Sequence, residues 1–121
     1  MVNSQKIRNF KDLKIWQESV ELVEKIYKIT KEFPKEELYS IVNQIRRSAV
    51  SLPSNIAEGF MRYHNKEFKQ FLFIALASSA ELETQLIISN KLKYITEQKL
   101  DELSESIDKL NRMIMTLIKR L

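Results

Sequence analysis

The residues able to do acid–base, nucleophilic or metal chemistry are few in this chain, and each lacks a partner at the spacing its chemistry requires. There is one histidine, His64. A di-iron helical bundle holds its metals with Glu-x-x-His pairs, but Met61 stands three residues before His64. A zinc hydrolase helix needs two histidines on one face. No cysteine is present, which removes thiolate ligands, cysteine nucleophiles and disulfides together. The single glycine, Gly59, cannot build a glycine-rich phosphate loop. Glu81 and Glu83 are two apart on a helical pattern, so their carboxylates diverge and do not form an acid–base pair. Helical ribonucleases of the HEPN type carry an Arg shortly before a His; the positions at that spacing, Ala57, Glu58 and Gly59, hold none. The expectation is a protein that is not an enzyme and has no metal site and no cofactor.

What remains is binding chemistry. The formal net charge is +4 and its distribution is uneven. Residues 41–80 carry Arg46, Arg47, Arg62, Lys66 and Lys69 against Glu58 and Glu67, and the opening segment adds Lys6 and Arg8. Such a cluster attracts phosphate; the same charges also serve to solvate a surface. Phe60 and Tyr63 are the aromatic residues near enough to stack on a base.

These side chains must be positioned by helices. One glycine, two prolines and 121 residues argue against a β-sandwich or barrel and for one all-α domain over residues 11–121, with residues 1–10 as a flexible tail. Helix one is expected from about Asp12 to Lys31, with Leu13, Trp16, Val20, Val23 and Tyr27 as its apolar stripe. The Phe33-Pro34 pair ends it. Helix two begins near Lys35 to Glu37 on a stripe of Leu38, Val42, Ile45, Ala49, Leu52 and Ile56. Pro53 either kinks it or follows a new start capped by Ser51, and Gly59 is placed for a left-handed C-terminal cap. Helix three runs from an Asn65 cap to about Asn90, and helix four from a Thr96 cap to the end along Leu100, Leu103, Ile107, Leu110, Ile114, Leu117 and Leu121. Short links between four amphipathic helices make an antiparallel up-and-down four-helix bundle, with helix two kinked near Pro53. The opening residues lack the apolar core of a signal peptide, and the longest apolar run, Phe71 to Ala77, is too short for a membrane span, so a cytoplasmic protein is expected.

Helices one and three carry more apolar residues than one stripe needs. Ile15, Leu22, Ile26 and Ile29 form a second line on helix one, and Phe73, Ile74, Leu76, Ile87 and Ile88 lie off the main stripe of helix three. A wide core face accommodates some of them; a contiguous exposed patch of that size marks contact with another subunit. The expectation is a homo-oligomer whose interface includes Ile15, Leu22, Ile26, Ile29, Phe73 and Ile74.

The segment Gln44-Ile45-Arg46-Arg47-Ser48-Ala49-Val50-Ser51-Leu52-Pro53-Ser54-Asn55-Ile56-Ala57-Glu58-Gly59 is the most distinctive. It resembles the four helix bundle proteins, also called 23S rRNA-intervening sequence proteins, which read Q-x-R-R-A-x-x-S-I-P-x-N-I-A-E-G here; Ser48 and Leu52 are mild departures. Phe10 to Trp16, Lys66-Glu67-Phe68 with Phe71-Leu72, and Ala80 to Leu86 are similar to other parts of the family, so the resemblance covers nearly the whole chain. It implies a four-helix bundle assembled as a homopentamer. It also implies kinship with accessory proteins of diversity-generating retroelements, which bind RNA or DNA and a reverse transcriptase. Arg46 and Arg47 then either hold phosphates or pair with acids such as Glu58. Pro53, Asn55, Glu58 and Gly59 read as structural: a kink, a hydrogen bond compensating the lost backbone bond, and a closing cap. The alternative function is a protein-interaction scaffold whose charges serve solubility.

Overall fold

The computed structural model describes residues 7–121. Lys6, with most of the segment expected to be a flexible tail, lies outside the described residues. After a 3-10 turn at Phe10–Asp12 come four α-helices: α1 (Lys14–Thr30), α2 (Ile41–Phe60), α3 (Asn65–Lys91) and α4 (Glu97–Arg120). A second 3-10 turn, Lys35–Glu37, lies between α1 and α2, and no strand occurs among the described residues. The protein is an all-α four-helix bundle.

Polar contacts show how the helices run against each other. Ser51 on α2 meets Ser78 on α3 at 2.7 Å, while further along α2 a Cβ on Gly59 would meet Phe71 and Phe68, earlier on α3. Glu18 bridges to Lys109 at 2.9 Å, whereas Ile29 shares a surface groove with Lys99 and Leu103. In both pairs the contacts advance along one helix as they retreat along the other.

The core is built from Leu22, Ile26, Ile45, Leu52, Ile56, Leu72, Leu82, Leu86, Ile107 and Ile114, all essentially buried. Full burial of each such side chain stabilises the fold by about 1.5–3 kcal/mol. Serines and threonines complete the inward lines at Ser19, Thr30, Ser48, Ser78, Ser79 and Ser89. Apart from that of Ser48, their hydroxyls are bonded locally or across helices: Ser19 Oγ donates to Trp16 O, Thr30 Oγ1 to Ile26 O, and Ser79 Oγ to Asn111 Oδ1, each at 2.8 Å. A hydroxyl bonded to its own preceding turn buries like a small apolar group.

This corrects the reading of α1. Ile15, Leu22 and Ile26 are not an oligomer surface. They are 4%, 3% and 0% exposed and belong to the bundle's own core, with Ile29 partly buried beside them. The inward line is Ile15, Ser19, Leu22, Ile26 and Thr30. Two hydroxyl residues interrupt its apolar character, so the unbroken run from Leu13 to Tyr27 looks like the core face. In fact Leu13 is buried as the N-cap, Trp16, Val20 and Val23 are half-buried, and Tyr27 is exposed. Asp12 falls in the preceding 3-10 turn and caps nothing in α1.

Helix α2 also differs in its details. It begins at Ile41, and Leu38 is exposed. It continues through Pro53 without a break, so Ser51 does not open a new helical segment. The bond that proline forgoes would have gone to Ala49 O, whereas Asn55 Nδ2 donates to Ser51 O at 2.8 Å and to Ser51 Oγ at 2.9 Å. Asn55 therefore clamps the turn bearing Ser51 and does not replace the missing bond. Gly59 is not a left-handed cap, because no glycine has positive φ. It lies inside α2, buried, where a Cβ would come within 2.6 Å of Phe71 Cβ. Glycine is needed there for close approach of two helices.

The left-handed residues are Tyr63 (φ 60°) and Lys93 (φ 68°). Lys93 closes α3: Tyr94 N donates to Ser89 O at 2.8 Å and Lys93 N to Asn90 O at 2.9 Å, the paired bonds of a Schellman ending. Thr96 caps α4 as expected, accepting from Lys99 N at 3.2 Å. The α4 stripe drifts onto Ile118 in place of Leu117 near its end. Helix α3 is long and apolar enough on average to cross a membrane, at mean hydropathy 1.5. One face of it fills the bundle core through Phe68, Leu72, Ala75, Leu82 and Leu86.

Candidate functional site

The topology collects residues that are far apart in the chain. The start of α1, the end of α2, the start of α3 and the end of α4 meet at one end of the bundle. There Leu13, Ile15, Phe68, Met113 and Leu117 line one cleft, and the Phe60 and Phe68 rings stand 5.9 Å apart. Residues 7–18 bring Arg8, Lys11 and Lys14; residues 55–70 bring Arg62, Lys66 and Lys69; residues 108–121 bring Lys109, Arg112, Lys119 and Arg120. Opposing these ten bases are five acids, Asp12, Glu18, Glu58, Glu67 and Asp108, for a formal +5 before the terminal carboxylate. The other described residues carry nine bases and eleven acids, a formal −2. The bundle is therefore electrically lopsided along its axis.

Of the five bases singled out in residues 41–80, three lie at this end, together with Arg8 of the opening segment. Lys66 is exposed, Lys69 is half-buried, and neither has an ion pair among the described residues. Arg62 is engaged: its guanidinium bridges to Glu58 at 2.9 Å and to Glu67 at 3.7 Å, and lies 5.0 Å over the Phe71 ring. These are exposed pairs, worth at most about 1 kcal/mol each, so a polyanion can displace them. Glu58 is thus an ion-pair partner on the surface.

Arg46 and Arg47 stand apart from that group. Fifteen residues of chain separate Arg47 from Arg62, which is about 22 Å along a helix axis. Arg46 Nε donates to Thr30 Oγ1 at 2.9 Å, and its guanidinium sits 4.5 Å over the Tyr27 ring, so it ties α2 to α1. It does not pair with Glu58. Arg47 is exposed and borders two shallow grooves. The groove toward α1, about 590 Å³, also takes in Tyr27, Tyr39, Arg46 and Val50. The groove toward α3, about 430 Å³, takes in Gln44, Ser48, Glu81 and Gln85. Gln85 Oε1 is buried without a hydrogen-bond partner.

The bases missed by sequence reading are Lys11, Lys14, Lys109, Arg112, Lys119 and Arg120. A signal existed: acids crowd the first half of α4 and bases its second half. Two carboxyls are perturbed. Lys109 bonding to Glu18 holds that carboxyl below its ordinary value. At the opposite end, Glu37 takes hydrogen bonds from Ser40 and from Tyr94 Oη, the latter at 2.6 Å; these lower its pKa, while the shared proton raises that of Tyr94. Among the described residues no cluster of His, Cys, Asp and Glu is arranged to hold a metal ion.

Comparison with known proteins agrees with this architecture. The profile of the 23S rRNA-intervening sequence proteins matches residues 11–116. No curated protein sequence matches. Among solved structures, the chain is similar to a crystal structure of a protein of unknown function from the S23 ribosomal protein family of Bacteroides thetaiotaomicron. The two are 25% identical with a TM-score of 0.80, over 87% of this chain and 95% of that one.

Proposed function

Because this chain belongs to the 23S rRNA-intervening sequence protein family, we propose that it is a non-enzymatic, homo-oligomeric binding protein whose basic end takes the phosphates of RNA or DNA. The observation that carries this reading is the gathering of ten bases at one end of a bundle that is otherwise formally negative. Lys and Arg displace condensed counterions from a polyanion, so binding is electrostatic, weakly sequence-specific and steep in salt. With about five phosphates neutralised per subunit, affinity falls about 500-fold between roughly 50 and 200 mM salt.

Oligomerisation rests on Phe73, Ile74, Ile87 and Ile88, which leave the outer side of α3 apolar and exposed. A homopentamer working in the cytoplasm, with a reverse transcriptase as a protein partner, is the form that the family resemblance suggests. The test is a gel-shift titration of structured RNA and duplex DNA at several salt concentrations. Arg62→Ala/Lys66→Ala/Lys69→Ala weakens binding at least tenfold, and Arg46→Ala much less. Affinity that does not change with salt, or that survives the triple substitution, refutes the reading. An interaction scaffold is the second reading, favoured by the engagement of Arg46 and Arg62 within the fold; it gives no gel shift but a co-purifying protein.

A further inference from the structure

We propose that the cleft between the start of α1, Phe68 and the second half of α4 binds one single-chain fatty acid, its carboxylate held at the cationic rim. The cleft has a volume of about 400 Å³, toward the small end of the range of roughly 300–1,000 Å³ typical of small-molecule sites, which suits one chain and not two. Its floor is apolar: Leu13, Ile15 and Phe68 are nearly buried, and Ile7, Met113 and Leu117 are half-buried beside them.

The floor has little to offer a nucleobase edge. Its one hydroxyl, Thr116 Oγ1, already donates to Arg112 O at 2.9 Å. The rim is different. Lys14, Lys109, Arg112 and Arg120 surround the opening. Lys109 is held by Glu18, but Lys14, Arg112 and Arg120 have no ion pair among the described residues. An apolar slot with three uncommitted cations at its mouth complements an acyl chain ending in an anion: the chain is buried, and the head meets guanidinium groups that bind carboxylate in a forked geometry. Arg112 and Arg120 are about two turns apart along α4 and both border the cleft, so a cation stands at each of two places along its rim.

This inference does not rest on nucleic-acid binding, and the experiment separates the two. Dodecanoate is titrated into the intact protein by calorimetry below its micellar concentration, beside dodecan-1-ol. The expected result is saturable binding of one dodecanoate per chain, at least tenfold tighter than dodecan-1-ol. Arg112→Ala/Arg120→Ala weakens dodecanoate about tenfold and leaves dodecan-1-ol unchanged. Met113→Trp fills the slot and abolishes both, while its unchanged charge leaves any RNA gel shift where it was. The proposal is overturned if dodecanoate shows no saturable heat, if the alcohol binds as tightly as the acid, or if Met113→Trp binds dodecanoate like the wild type. Dodecanoate binding that only accompanies dissociation into smaller species also overturns it, since the cleft would then be covered by a second copy of the chain.

Discussion

Replacing Gly59 with Ala tests the close approach of α2 and α3 most directly. On an exposed helix the change stabilises by about 0.5–1 kcal/mol, because glycine loses more backbone entropy on folding. Here the new methyl would lie 2.6 Å from Phe71 Cβ and 3.0 Å from Phe68 Cδ1. Carbon atoms pack at about 3.5–4.0 Å, so the first contact is roughly 1 Å too short. Phe71 Cβ cannot swing away, since it is fixed to the α3 backbone. The helices must separate locally, which costs roughly 1–3 kcal/mol for overpacking of this kind. The entropic gain offsets part of that, leaving a net loss of about 1–2 kcal/mol and a fall in Tm of several degrees. Urea unfolding followed by circular dichroism, at one protein concentration, gives the difference. A Gly59→Ala variant as stable as the parent, or more so, would show that the helices yield freely and that close approach is not why glycine stands there.

The other predictions concern α1, Arg46 and the Glu37–Tyr94 contact. Ile26→Ala leaves a cavity in the core and costs about 3 kcal/mol of urea stability; an interface residue would instead change the mass by light scattering with little loss of subunit stability. Arg46→Ala removes the Thr30 bond and the Tyr27 stacking and lowers stability by about 1 kcal/mol, whereas Arg47→Ala lowers it by less than about 0.5 kcal/mol, as paired thermal melts will show. Tyr94→Phe raises the Glu37 pKa toward the ordinary 4.5, read by carbon-13 NMR. The sign follows from the lowered carboxyl, whose stabilising share is present above its unfolded pKa and lost as pH falls through the folded one. The parent therefore loses more stability in acid than the Tyr94→Phe variant does. The raised Tyr94 hydroxyl acts oppositely, its share being lost as pH climbs through its folded value above 10.0.

Some of this was readable from residue order and some was not. Helix α4 could be read because its inward positions from Leu103 to Ile114 are all Leu or Ile. Helix α1 misled because Ser19 and Thr30 satisfy their hydroxyls within the helix and sit in the core, so the true inward line looks polar at two places. The role of Gly59 was hidden because the atom that excludes a side chain belongs to Phe71, on another helix. The basic end escaped notice because residues 81–121 have no net charge when averaged along the chain. The fold divides that window, leaving the acids of early α4 at one end and Arg112, Lys119 and Arg120 at the other.

The Gly59 contact and the Ser51–Ser78 hydrogen bond hold α2 and α3 together at two places along their length. A pair of helices joined so closely has no separate way to open. In native-state hydrogen exchange, the backbone amides of Leu52, Ile56, Leu72 and Ala75 should exchange only when the whole bundle unfolds. Those in the last turn of α4, beside the chain terminus, should exchange by fraying. The α2–α3 hairpin is thus the most persistent unit of the molecule, and subunits built on the outer side of α3 would inherit the most rigid surface it has.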